Sequence, residues 1–337
     1  MVILTSPSGR ELRALDFSKA DIDVNSTMDF EIVILASRYK EDIVNKGRVF
    51  VPGSEYGGVI NGHKVNTAEN TVTVKGRSWR GFLEKKIIKP PAGSAYKVVS
   101  GELNTVVRTM ISEAGLSPLF RGSMDDTSES VTNYQFNRYT TLRKGLKKML
   151  SSVGYRLKLT YVQQEAGAEG YVKVEAVPME DYSETIEVSQ DSQIDFIIEE
   201  NRYQTNHLIC LGSGELAERM VAHLYLQEDG SIGSTQYYMG IDDIEEVYDY
   251  PSAESREELV KQGEERLLEL TDGQSMQMDV ARLGIEVGIG DIVGGRDYIT
   301  GTRVSKPVIN KIYKEENGTV NIDYIVEGET ENEDTIQ

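Results

Sequence analysis

Apolar residues recur at two spacings along this chain, and the change between them is sharpest over 71–88, TVTVKGRSWRGFLEKKII. Thr71 to Lys75 alternates β-branched with polar residues, as a half-buried strand does. A turn is expected at Gly76-Arg77. Beyond it, Trp79, Phe82, Leu83 and Ile87 fall on one helical face, and Arg80, Glu84, Lys85 and Lys86 on the other. The segment therefore joins a strand to a helix, and it holds the only Trp of the chain.

Elsewhere the same two periods alternate in blocks. Over 1–90 the pattern predicts strands at 30–35 and 48–52, then a hairpin of Val59-Ile60 and Lys64-Val65 about Asn61-Gly62, a favoured two-residue turn. Closely spaced strands of this kind suggest a small barrel or sandwich. Pro90-Pro91-Ala92-Gly93-Ser94 marks a linker. Leu103, Val106, Val107, Met110 and Ile111 form one face of a helix over 102–114, which Gly115 stops. A polar loop covers 123–130. A second helix covers 140–153, with Leu142, Leu146, Met149, Leu150 and Val153 inward and Lys144, Lys147 and Lys148 outward. Alternating strands follow at 155–161 and 171–177. The region 91–185 is thus an expected helix–helix–hairpin unit, an α+β domain or insertion.

The rest returns to strands. Segments 194–199 and 207–211 are candidates. Segment 217–227 is ambiguous and is read as a strand, with Asp229-Gly230 as its turn. A helix is expected over 252–270, capped by Ser252 with 255–258 as its first turn. Alternation resumes at 276–280, 288–293 and 308–313, and Asn317-Gly318 signals a hairpin into 320–326. Residues 186–328 are therefore read as a second β-rich body, and 329–337 as an acidic, disordered tail.

Composition narrows the class. The chain has 337 residues, enough for two or three cores, with 18 Tyr and 31 Gly against 7 Phe, a mix that suits turn-rich β-structure. No apolar run reaches the roughly 18 residues that a membrane span needs. The opening MVILTSPSGREL lacks a basic region followed by an apolar core, so no signal peptide is expected. Cys210 is the only cysteine, which excludes an internal disulfide and disfavours a cysteine metal site. The net charge of −19 is uneven: residues 180–337 hold 36 acidic and 11 basic residues, net −25, and residues 1–179 hold 19 and 25, net +6. An acidic half argues against clamping nucleic acid. It suits simple solubility, or a surface that nucleic acid must pass without sticking.

Candidate chemistry is sparse. The loop 288–295, GIGDIVGG, lacks the dinucleotide spacing and a following helix, so a turn into a strand is favoured. Asp242-Asp243 and Glu245-Glu246 could hold a metal or act as an acid/base pair, but neighbours on a strand face opposite ways, and a solvated charged segment is favoured. Asp125-Asp126 reads likewise. His207 and His223 lie in apolar strand-like segments, where ordinary hydrogen bonding is favoured over a metal, and His63 is the third histidine. Gly212-Ser213-Gly214 lacks the spacing of a nucleophile elbow. No nucleophile, base and orienter assemble, so neither catalysis nor a cofactor or metal is expected. Arg77, Trp79 and Arg80 with Lys85 and Lys86 have the composition of a protein-interface anchor, of a junction packed internally, or of a single-strand nucleic-acid platform. Arg77, Trp79, Arg80 and Phe82 are taken as subunit-interface or junction-packing residues.

These features resemble the hub proteins at the distal end of phage tails, including contractile baseplate hubs and related siphophage and prophage tail proteins. The resemblance rests on TVTVKGRSWRGFLEKKII, on a helical insertion ending in a strand hairpin, and on IEVGIGDIVGGRDYITGTRVSKPVINKIYKEENGTVNIDYIVEG. In the last stretch Gly290-Asp291, 308–312, Asn317-Gly318 and 320–326 match the family's Gly-Asp turn, Val-x-x-Ile strand, short turn and final strand. The resemblance implies an α+β, mainly β fold: two small tail-tube-like β-barrels, 1–90 and 186–328, with the α+β decoration between them. It implies a homotrimeric ring, pseudo-sixfold by its two barrels per chain, that joins the tail tube or distal tail protein to the tip or baseplate. The channel would pass the tape-measure protein and then DNA, in a virion tail assembled in the bacterial cytoplasm. No appended peptidoglycan-degrading domain is expected, so the expected role is structural, without catalysis. A cell-wall- or receptor-binding tail module and a tail-associated hydrolase are the alternatives.

Overall fold

The structure, a computed structural model, describes residues 1–163, 168–183, 196–201, 203–271, 273–278, 285–296 and 299–327. The expected acidic tail lies outside them. Compactness separates two units: Met1–Phe196 with Gln277–Glu327, and Ile197–Met276.

The first unit is organised by one large sheet. Its strands are β1 (Ile3–Thr5), β2 (Glu11–Ala14), β3 (Lys19–Asp23), β4 (Asp29–Leu35), β5 (Arg48–Phe50), β6 (Gly57–Asn66), β7 (Thr71–Ser78), β19 (Ile292–Arg296), β20 (Arg303–Glu316) and β21 (Thr319–Val326). The order is β19-β20-β3-β4-β7-β6-β5-β1-β2, with β21 on β20. The long β20 pairs β19 through its first five residues and β3 through its last five, while β21 follows its other edge. Among the described residues no sheet closes: β2 at one end and β19 and β21 at the other do not pair. Among the described residues, then, neither of the two barrels implied by the resemblance is a closed sheet.

The helical part follows the expected order. After α1 (Trp79–Glu84) come β8 (Val98–Glu102), α2 (Leu103–Glu113), β9 (Phe120–Gly122), β10 (Ser130–Gln135), α3 (Leu142–Ser151), β11 (Tyr155–Val162) and β12 (Tyr171–Pro178). Glu102 caps α2 by accepting from the N–H groups of Asn104 and Thr105, and Thr141 caps α3 through Lys144. The eight-residue hairpin β11–β12 is antiparallel throughout, and β9 joins β12 in parallel.

The partition has no boundary at 90, and its first unit runs through 185 to Phe196. The last hairpin completes the N-terminal sheet, with Ile312 opposite Asp23. The helical segment also shares its core with that sheet, because strand alternation covers both faces. Ile3 and Phe50 pack with α2, α3 and β11–β12. Val2, Leu4 and Val49 pack on the opposite face with Ile22, Ile32, Val74 and Tyr313.

Two expected turns lie elsewhere. Asn61-Gly62 is a bulge inside β6, between Ile60 and Gly62, rather than a hairpin turn. Ile60 exchanges backbone bonds with Lys46 and Gly47, which holds the strand in line there. The reversal falls after Asn66, whose Oδ1 accepts from the N–H groups of Ala68 and Glu69. Likewise Gly76-Arg77 stays in strand. A Cβ at Gly76 would come 2.3 Å from Phe30 Cζ, so this glycine makes room for a ring instead of turning the chain.

The second unit holds a sheet of order β16-β15-β14-β17, built from β14 (His207–Leu211), β15 (Val221–Leu226), β16 (Ile232–Gly233) and β17 (Glu245–Asp249). Strand β17 runs parallel to β14 and β15 antiparallel to it. The chain enters and leaves through β13 (Phe196–Glu200) and β18 (Gln274–Met278), which pair with each other. Helix α4 (Arg256–Leu270) packs Leu259 and Leu267 on Leu208, Cys210 and Leu224. Its cap is Ser255, which accepts from Glu258 N–H, so the expected cap at Ser252 lies one turn too early. Gly263 lets α4 approach closely, since a Cβ there would sit 2.4 Å from Cys210 Sγ. Burial pushes the Cys210 thiol up to about 11, which leaves it inert.

Candidate functional site

The strand-to-helix junction is an internal structure. Trp79 is 1% exposed. Its ring stacks on Tyr161 at 5.3 Å and 13°, and Tyr161 in turn meets Phe50 at 4.3 Å. The indole Nε1 has no hydrogen-bond partner, so the side chain acts by packing alone. Phe82 is half-buried, 6.0 Å from Phe120, and the Arg77 guanidinium lies over its ring at 5.8 Å. Of the four residues singled out in the sequence, Trp79 and Arg80 are enclosed, and Arg77 and Phe82 partly so. The indole therefore offers no face on which a base could stack.

Arg80 enters a buried ion cluster that the sequence did not reveal. Its Nε and Nη2 donate to Glu55 Oε2 at 3.1 and 2.9 Å, and Nη2 also donates to Leu157 O at 2.9 Å. Lys311 Nζ reaches the other Glu55 oxygen at 2.8 Å and lies 5.5 Å from the centre of the Tyr56 ring. Burial alone would push the Glu55 carboxyl up. The charges of Lys311 and Arg80 outweigh it and hold the group at about 2. One carboxylate thus ties α1 to β20, and Arg80 extends the tie to β11. Glu55 and Lys311 share no local pattern, which is why no motif announces them.

The glycine-rich loop is a second latch. Asp291 is fully buried. Its Oδ1 accepts from Arg156 Nε at 2.5 Å and from Glu180 N–H at 2.9 Å, and its Oδ2 from Gly288 N–H at 2.7 Å. The guanidinium lies so close that a Cβ at Gly288 would come 2.3 Å from Arg156 Cζ. The loop therefore seats an arginine rather than a phosphate. Asp291→Ala is expected to cost ~3 kcal/mol, since it strands a half-buried guanidinium and two N–H groups. Urea unfolding followed by circular dichroism measures it, and a loss below 1 kcal/mol would remove the latch from the account.

In the second unit, the histidines and the acidic segment converge. His207 Nε2 lies 2.9 Å from His223 Nδ1. His207 Nδ1 lies 3.2 Å from both Asp243 Oδ1 and Glu245 Oε1. The sequence favoured a solvated charged segment, and for two of its four carboxylates the structure differs. Asp243 and Glu245 turn to one imidazole. Glu246 faces Thr205 and Arg266 instead, and Asp242 lines a cleft of ≈ 560 Å³ with Tyr203, Asn206 and Tyr238. His63 is exposed on β6, a strand of the first unit. No helix among the described residues is long and apolar enough to cross a membrane.

No protein-family model matches the chain. No curated protein matches it either. Solved structures do. The 43 kDa tail protein of prophage MuSo2 from Shewanella oneidensis aligns over 96% of this chain and 97% of that one, with TM-score 0.53 and 12% identity. The tail protein from Neisseria meningitidis MC58 aligns over 97% of each chain (TM-score 0.49, 14% identity). The prophage tail protein gp18 from Listeria monocytogenes EGD-e aligns over 98% of this chain and 95% of that one (TM-score 0.49, 11% identity). The chain shares the fold of the MuSo2 tail protein over nearly its whole length.

Proposed function

We propose that the protein is a structural component of a phage or prophage tail, acting as the hub between the tail tube and the distal tip or baseplate. The observation that carries this reading is the likeness to the MuSo2 tail protein across almost all of both chains. In this reading three copies form a ring, the tape-measure protein and then DNA pass its channel, and the protein performs no catalysis.

Charge supports the reading. Within 197–276 there are 18 acidic and 5 basic residues, net −13, so most of the negative charge sits in the second unit. A surface of that sign repels the DNA backbone. Two features support assembly with partners. Strand β2 ends the large sheet with an edge that no other described strand pairs. Leu216 and Ile241 are 96% and 84% exposed, apolar side chains that a neighbour would cover.

The test has two arms. Light scattering of the purified protein is expected to give three times the chain mass. Immunogold labelling of tail particles is expected to mark the distal end. Particles that lack the protein, or carry it on the capsid, would overturn the proposal. A second reading, receptor or cell-wall recognition by the same tail module, is favoured by the cleft bearing Tyr203 and Tyr238. Pull-down on purified cell walls separates the two, because a hub without that role stays in the supernatant.

A further inference from the structure

We propose that His207, Asp243 and Glu245 form a binding site for one divalent transition-metal ion of the zinc class. The sheet itself builds the site. Parallel pairing of β17 on β14 sets Glu245 directly opposite His207. Antiparallel pairing of β15 sets Tyr225 opposite His207 and His223 opposite Ile209, which leaves His223 on the diagonal of the same face. Asp243, two residues before Glu245, completes the group.

Three donor atoms of the right kind then meet: His207 Nδ1, Asp243 Oδ1 and Glu245 Oε1 all lie within 4.8 Å of one another. Both nitrogen–oxygen separations are 3.2 Å. Donors bound tetrahedrally at 2.0–2.1 Å from an ion stand ~3.3 Å apart, so little movement is needed. A proton on Nδ1 serves only one of the two carboxylates well, whereas a dication serves both. Among the described residues neither Asp243 nor Glu245 is paired with a lysine or arginine.

The outer contacts also suit a metal. With Nδ1 given to the ion, the His207 Nε2–H donates to His223 Nδ1 at 2.9 Å. The second oxygen of Asp243 accepts from Gln236 Nε2 at 2.8 Å. Each of these ligands is thereby fixed from behind, as bound imidazoles and carboxylates commonly are. The His207 side chain is 6% exposed and that of Glu245 56%, so the ion would reach the site from the Glu245 side and keep a water there. One imidazole with two carboxylates favours zinc or a neighbouring first-row ion over magnesium. The ion would fasten the 240–245 segment to the sheet.

The experiment is calorimetric titration of untagged, chelator-treated, full-length protein with zinc chloride, with cobalt absorption as a second readout of tetrahedral binding. One equivalent is expected to bind. Asp243→Asn and Glu245→Gln are each expected to weaken binding at least about tenfold, and His223→Ala by about 10–100-fold through lost support of His207. His63→Ala is expected to change nothing. Glu245 is exposed, so Glu245→Gln leaves the fold intact and decides the matter if another variant unfolds. Wild-type protein that takes up no saturable zinc, or uptake unchanged by Asp243→Asn and Glu245→Gln, would overturn the proposal.

Discussion

Glu55→Gln is expected to lower the stability of the first unit by about 3–5 kcal/mol, the usual cost of removing one partner from a buried ion pair. Glutamine keeps the volume and loses the charge. Arg80 and Lys311 would then lie enclosed without a counter-charge, at side-chain exposures of 6% and 5%. Guanidinium denaturation followed by Trp79 fluorescence measures the loss. The substitution also carries a pH signature. The carboxyl sits at about 2 in the folded chain against 4.5 for the free group. Its contribution is therefore fully present above 4.5 and is lost as pH falls from 4.5 through 2. The gap between wild type and Glu55→Gln is expected to narrow across that window, and a gap that widens would contradict the assignment. Replacing all three residues by apolar ones of similar size is expected to restore most of the stability.

The second large effect is at Trp79. Trp79→Ala is expected to cost about 3–5 kcal/mol, the range for emptying a large aromatic site in a core. The cavity would open between Tyr161, Phe50 and Leu83, where the two parts of the first unit meet. Because Nε1 makes no hydrogen bond, Trp79→Phe is expected to lose less than half as much, by volume alone. Chemical denaturation by circular dichroism separates the two variants. Equal losses would mean that the indole nitrogen matters after all, and no loss in either would contradict its place in the core.

Period was a good guide where one face of an element is wet. Helices α2, α3 and α4 and the hairpins β11–β12 and β20–β21 could all be read from spacing and turn residues, since each has a polar side to contrast with a buried one. Three-residue strands such as β1, β5 and β9 are too short to show a period, and only β5 falls within an expected strand, 48–52. Gly76 and Gly62 misled for one reason: a glycine that admits a neighbouring ring or relaxes a bulge looks, in sequence, like one that turns the chain. The candidate sites were least legible. Glu55, Arg80 and Lys311 belong to three separate segments, a loop, a helix and a strand, and only the tertiary fold makes them neighbours, since β3, β4 and β7 stand between β20 and β6 in the sheet. His207, His223, Asp243 and Glu245 had each been noticed, but their convergence depends on the register of β14 with β15 and β17, and a slip of one residue would scatter them to opposite faces.

The pairing of β20 with β3 sets a timetable for synthesis. Asp23 faces Ile312, so about 290 residues must leave the ribosome before the edge of β3 finds its partner. At 5–20 residues per second this takes roughly 15–60 s. Through that interval the nascent chain carries an open strand edge of the kind that recruits unwanted neighbours. Prematurely terminated products that end before β20 would keep that edge permanently and are the species expected in inclusion bodies.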